Sequence, residues 1–329
     1  MQFILRRLAF YLVAAWVAIT ANFFIPRALP GNVVEAIMAK NPDLQPSAQK
    51  ALEALLGVGP QGSLWDQYVH YLGQVFTFNF GPDPINFPAT VNQMLAQEVP
   101  WTLALVGIST IIAFAIGTGL GIMAGWRAGG RLDKSLPAWM FVQGIPYFFL
   151  ALVFIEVLAV KFRVFPIGQG FDAEYYTPGW NWGFVGNAVD HSILPAITIV
   201  LTSMAGWMLQ MRNVMVTTIG EDYVMAAQGK GLTSRRVIFT YAARNAMLPQ
   251  LQGFGLALGY VVAGALVMEL VFSYPGIGLQ LLTAVGNDDY PMMQAIFLLI
   301  TFAVLVANLL VDIVLVLVDP RVRAREVAR

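Results

Sequence analysis

Cysteine is absent from the 329 residues, and histidine occurs only twice. The first absence excludes disulfides, thiol nucleophiles and cysteine-ligated metal or iron–sulfur centres, while leaving the redox compartment open. The two histidines, His70 and His191, stand far apart on stretches that read as outer loops. They read as surface or interfacial side chains rather than as a metal pair. No His-Glu-x-x-His motif occurs, and no carboxylate pair has a supporting context, so neither catalytic residues nor a metal site are expected. Charge is scarce as well. Only 12% of residues carry it, and 19 basic side chains balance 19 acidic ones. A net charge of zero gives no bulk attraction for nucleic acid or any other charged partner. Heptads, low-complexity tracts and clear internal repeats are also missing.

Hydrophobic residues are plentiful. They make up 58% of the chain, against about 45–50% in ordinary globular proteins. About twenty apolar residues cross a bilayer. Six such runs are expected, at approximately Leu8–Ile25, Trp101–Trp126, Leu136–Val160, Ile193–Met211, Leu251–Phe272 and Met292–Val318. The fold class is therefore all-α, a polytopic membrane protein with six transmembrane helices. The N-terminal run is too long for a signal-peptide core and lacks a clean cleavage site, so it reads as a retained span. Pro137 and Pro146 fall in the third run, and a kink is expected near Gly144–Pro146.

Cytoplasmic loops accumulate Lys and Arg. With the N-terminus inside, fourteen of the 19 basic residues lie on the inner side, including Arg6, Arg7, Arg127, Arg131, Lys134 and Arg212. Both termini are then cytoplasmic. The chain divides into a tail and first helix (1–27), an extracytoplasmic cap loop of short helices (28–99) and a core of five transmembrane helices (100–329). A second outer loop is dense in aromatics: Tyr175, Tyr176, Trp180, Trp182 and Phe184. In a third, the stretch LQLLTAV is apolar enough to form a short helix dipping toward the membrane.

Three acids lie in or near the spans, where charge is costly: Glu156, Glu269 and Asp312. Glu156 and Asp312 read as boundary residues that reach water. Glu269 either lines a pathway or locks two helices. None has an evident basic partner, which argues against a proton relay.

On the cytoplasmic side a charged, glycine-punctuated segment sits between two long apolar runs: EDYVMAAQGKGLTSRRVIF, Glu221–Phe239. Its Gly229-Lys230 pair is not a phosphate-binding loop. That loop needs glycine where Val224 stands and Ser or Thr where Gly231 stands. Glu221 and Asp222 suit a helix start, where acids complement free amides. Tyr223, Ala226, Ala227 and Lys230 fall at helical spacing on one face. Gly229 and Gly231 break that helix. Thr233 or Ser234 caps a second helix, SRRVIFTYAARNAML, which Pro249 ends. The product is a helix–turn–helix elbow. It is either a docking element for a cytoplasmic partner or an amphipathic connector on the lipid headgroups, which Arg235 and Arg236 would also suit.

The segment resembles the EAA loop of ABC-transporter permeases. Met225-Ala226-Ala227 precede Gly231 at that spacing, with methionine in place of the first acid. The distance to Leu248-Pro249 is longer than in many permeases. Both departures fit the dipeptide/oligopeptide subgroup. The resemblance includes Glu221-Asp222-Tyr223-Val224, Gly229-Lys230-Gly231-Leu232, Arg235-Arg236-Val237 and Arg244-Asn245-Ala246-Met247-Leu248-Pro249. It continues at Ile4–Leu8, Pro30-Gly31, Phe272–Gly278, Asp289-Tyr290-Pro291 and Asp319-Pro320-Arg321, essentially the whole chain.

That resemblance implies a type I ABC importer permease fold in a bacterial or archaeal plasma membrane. It implies a heterodimer with a second homologous permease, two separate ATPase subunits or domains that hold ATP and Mg, and an extracytoplasmic binding protein. The permease would carry no ATPase site of its own, and its coupling loop would span 213–249. The coupling surface would comprise Asp222, Tyr223, Ala226, Ala227, Gly231, Leu232, Arg235 and Arg236. Peptides are the implied cargo, with oligosaccharides or nickel complexes as alternatives. Polar or flexible residues within the spans give pathway candidates: Gln143, Met204, Gln210 and Glu269. A secondary transporter or channel without an ATPase is the contrasting class. It would usually show intramembrane ion sites or repeats.

Overall fold

The computed structural model describes residues 2–27, 33–40, 49–53, 62–261 and 266–318. Pro30-Gly31 and Asp319-Pro320-Arg321 lie outside them. The described residues are helical with no named strand. We label the helices α1 (Gln2–Arg27), α2 (Val33–Lys40), α3 (Leu64–Thr77), α4 (Val91–Trp126), α5 (Arg131–Gly144) and α6 (Tyr147–Lys161). After them come α7 (Trp182–Ile219), α8 (Asp222–Gly229), α9 (234–259), α10 (Leu266–Val271), α11 (Ile277–Gly286) and α12 (Tyr290–Val318).

Among the described residues four helices are long and apolar enough to cross a membrane, and the bent pair α5–α6 makes a fifth. The remaining expected run, Leu251–Phe272, is helical at both ends, in α9 and α10, with 262–265 between them outside the described residues. α4 and α7 run well beyond their expected bounds. α4 begins at Val91 rather than Trp101, because Thr90 and Gln93 form a reciprocal cap there and Val91 and Leu95 are buried. α7 runs over 38 residues, taking in both the polar stretch before Ile193 and the residues after Met211.

The expected kink is present. Ile145 precedes Pro146 and takes an extended backbone angle, as the residue before proline tends to do. The two halves of the third span meet at 89°. Within α4, Pro100 removes one ladder hydrogen bond, and a π-helical stretch follows at Leu103–Gly107.

The central seam joins α4 to α7. Gly117, Gly121 and Gly125 recur every fourth residue on one face of α4 and are all buried. A Cβ on Gly121 would stand 2.6 Å from the Met208 carbonyl oxygen and 2.7 Å from Met211 Cβ. Small residues at this spacing let membrane helices approach to backbone contact.

At one end, Ile19 and Phe23 of α1, Tyr71 and Val75 of α3, Leu95 of α4, Leu281 of α11 and Met292 of α12 share a core. Asn22 ties three of these helices, donating to Tyr71 Oη (3.0 Å) and to the Gln294 carbonyl (2.8 Å). At the other end, α8 and α9 pack under α4 and α7 through Ile122, Met211, Met215, Val224, Ala227 and Val237.

Candidate functional site

The elbow leaves α7 at Gly220. The Glu221 amide closes the turn onto the Thr218 carbonyl at 3.2 Å. α8 then runs to Gly229, and Gly231 takes a left-handed φ of 73°. Gly231 thus makes the turn as expected, whereas Gly229 is the last helical residue and takes no left-handed angle. Glu221 and Thr233 occupy the two N-cap positions, although neither side chain makes a capping bond. Pro249 does not end the second helix. It lies inside a helix that continues to Gly259, so elbow and following span are one piece.

α8 has two faces. Val224 and Ala227 are buried in the core beneath it, while Asp222, Tyr223, Met225, Ala226 and Lys230 are exposed. Ala227 was expected on the outward face with Ala226. It points inward because the buried face is set by Val224 and its neighbour three residues on. Leu232 is half-buried against the same core. Gly231, Arg235 and Arg236 are exposed. The burial pattern also picks out Met225, 50% exposed. Its signal in the sequence was apolarity at a position where a loop acid was expected.

The four pathway candidates separate. Gln143 and Gln210 line one cavity of about 590 Å³ beside the α5–α6 break, with Thr110, Ser203, Gly206 and Trp207. Met204 is 5% exposed, and its carbonyl lies against Gly117. It belongs to the α4–α7 seam, not to a cavity.

Glu269 is fully buried, and its partners show it to be a lock. Its carboxylate accepts from Thr102 Oγ1 (2.6 Å), the Gly278 amide (2.6 Å) and the Leu279 amide (3.2 Å). Thr102 Oγ1 in turn accepts from the Ile277 amide at 2.9 Å. The acid therefore holds the exposed amides at the start of α11, where negative charge is favoured, and ties α4 to α10. Gly276 is needed because a Cβ there would collide with the Glu269 carboxylate. The Phe272–Gly278 turn is thus a clasp around this acid. Replacing Glu269 with Ala orphans two part-buried amides and a buried hydroxyl, a loss of about 3 kcal/mol. We expect Glu269→Ala to lower the yield of folded, detergent-stable chain sharply, as size-exclusion recovery would measure.

Asp312 also has partners: it pairs with Arg7 Nη1 at 2.5 Å and accepts from Tyr11 Oη at 2.8 Å, joining α12 to α1. Glu156 is exposed on α6. His191 is buried within α7 rather than on a loop. Its Nδ1 lies 2.9 Å from the Asn187 carbonyl and its Nε2 3.4 Å from Asp172, which staples the second outer loop to the helix. Sequence reasoning missed two buried acids, Asp83 and Asp289. Asp289 caps α12 through the Met292 amide at 3.0 Å. Burial, with the Asp83 carboxyl adding to it, pushes the Asp289 carboxyl up to about 7.

Residues 117–324 match the family model for the binding-protein-dependent transport system inner membrane component. That segment includes the glycine seam, the bent third span, the elbow and the clasp. The chain belongs to this family. It is a multi-pass inner-membrane protein with the type I ABC importer permease fold. Relatives extend the match across the full length. The dipeptide transport system permease protein DppB of Escherichia coli K12 is 32% identical over 99% of this chain and 100% of its own. The di/tripeptide permease DppB of Pseudomonas aeruginosa is 31% identical over 98% and 99%. The oligopeptide permease AppB of Bacillus subtilis is 30% identical over 92% of each. Among the described residues no cluster of His, Cys, Asp or Glu could hold a metal ion.

Proposed function

We propose that this chain is one of two permease halves in a peptide importer, coupled by its elbow to separate ATPase subunits. Both termini and the elbow face the cytoplasm, as the distribution of basic residues indicates. A second homologous permease completes the pathway. An extracytoplasmic binding protein delivers cargo to the opposite side, and ATP with Mg is held by the ATPases. The observation that carries this reading is the two-sided elbow. Val224 and Ala227 fix α8 to the membrane core, while Tyr223 and Met225 are 40% and 50% exposed. An anchored element presenting apolar side chains to water suits a partner surface. Asp222, Ala226, Gly231, Arg235 and Arg236 frame that surface, and Leu232 supports it from below. Peptide cargo is supported by the names of the full-length relatives.

The natural absence of cysteine makes the test clean. A single Met225→Cys variant, assembled with ATPases carrying one cysteine in their permease-facing groove, should form a specific disulfide under mild oxidation. Glu156→Cys, on the opposite side, should not. Cross-linking absent at Met225, or equal at both sites, would defeat the docking reading.

A further inference from the structure

An amide side chain facing hydrocarbon leaves its donors and acceptor unsatisfied, so such residues in membrane helices turn toward water, protein or cargo. Gln143 and Gln210 are both exposed on the surface of the chain, and among the described residues neither side chain has a hydrogen-bond partner. They nevertheless line the same cavity. Its wall also carries the hydroxyls of Thr110 and Ser203, the Trp207 ring and no charged side chain. The charges on α7 and α5 lie outside that wall: Arg212 pairs with Asp133, in the first turn of α5, at 2.7 Å.

We infer that this cavity reads the backbone of the cargo through neutral amides, with Gln143 and Gln210 as specificity-determining residues, and is indifferent to cargo charge. This rests on the peptide-permease reading above. Every peptide, whatever its side chains, presents backbone N–H and C=O groups. A glutamine can donate to one and accept from the other. A charged wall in this low-dielectric setting would attract one sign of cargo and repel the other. It would also hold the favoured sign too firmly for passage, which requires binding weak enough to release. Gly206 gives Gln143 its room, since a Cβ there would stand 2.8 Å from Gln143 Nε2. Gln143 is also two residues from the break at Ile145, so bending at that joint moves the reading group itself.

The test uses the complete transporter in proteoliposomes, with both permeases, the ATPases and binding protein saturated by each peptide. The probes are alanyl-glutamate, alanyl-alanine and alanyl-lysine. Wild-type turnover of the three should agree to within about threefold. Gln143→Glu should raise the lysine-to-glutamate peptide ratio by about tenfold, and Gln143→Lys should move it the other way. Being a ratio within one preparation, this readout does not depend on how much protein folds. Alanyl-sarcosine, which lacks the peptide N–H, should move about fivefold more slowly than alanyl-glycine through the unmodified transporter. Unchanged ratios in both variants, a strong charge preference in the wild type, or equal rates for the sarcosine and glycine peptides would each overturn the inference. A wild-type complex that moves none of these peptides would instead overturn the peptide-permease reading.

Discussion

Replacing Gly231 with valine should cut substrate-stimulated ATP hydrolysis by the assembled transporter at least about tenfold, while the chain still inserts and assembles. The cause is the backbone, not a clash. Gly231 sits at φ 73°, and a Cβ built on it meets nothing within 4 Å. A left-handed angle costs an ordinary L-residue about 1–2 kcal/mol, and a β-branched one more. That energy falls on the turn holding α8 against the second helix, where the Leu232 amide reaches the Ala227 carbonyl at 3.4 Å. The elbow would then spend most of its time out of register with its partner. The physical origin sets an order unrelated to size. Asparagine visits this region readily and should keep most coupling, alanine less, and valine least. ATPase assays with and without loaded binding protein would reveal that order. Full coupling in the valine variant would show that this turn is not part of the drive.

Replacing Gly121 with leucine should eliminate folded permease altogether. The seam has no room for a first carbon, because the Met208 carbonyl oxygen lies 2.6 Å from where it would go. Even modest overpacking costs about 1–3 kcal/mol, and here the obstacle is backbone that cannot rotate away. The control is on the same helix. Gly119 faces open space, with nothing within 4 Å of its Cβ position. Gly119→Ala should hold or raise the melting temperature, since alanine is favoured over glycine inside a helix by about 1 kcal/mol. Gly121→Ala should lower it. Equal behaviour at the two sites would remove the seam as the organising contact.

Features that depend on nearby residues could be read from the sequence. The apolar runs, the kink before Pro146, the helix break at Gly231 and the short α11 all rest on local backbone and hydropathy rules. Helix extents at polar flanks could not. Residues 91–100 look like loop until Val91 and Leu95 are seen in a core shared with α1 and α12. Pro249 looked like a terminus, but membrane helices tolerate proline when neighbouring groups compensate. Partnerships across long separations were also invisible. Glu269 meets Thr102 across 167 positions, and Arg7 meets Asp312 across 305. No periodicity encodes such a pair. For the site, helical spacing placed Ala226 and Ala227 together on one face, whereas burial assigned the second to the core. Of the pathway candidates, the two amides share a cavity, and Met204 and Glu269 serve packing.

The glycine seam also limits how the molecule can move. Three successive turns of α4 lie against α7 backbone, so a shift by one residue would bring a bulky side chain to a place that admits only hydrogen. A ratchet or a roll between these two helices is thereby forbidden, and kinematically they form a single chassis. Travel must come from articulation elsewhere. The right-angled joint at Ile145, with a glutamine two residues behind it, is the natural place for the machine to flex.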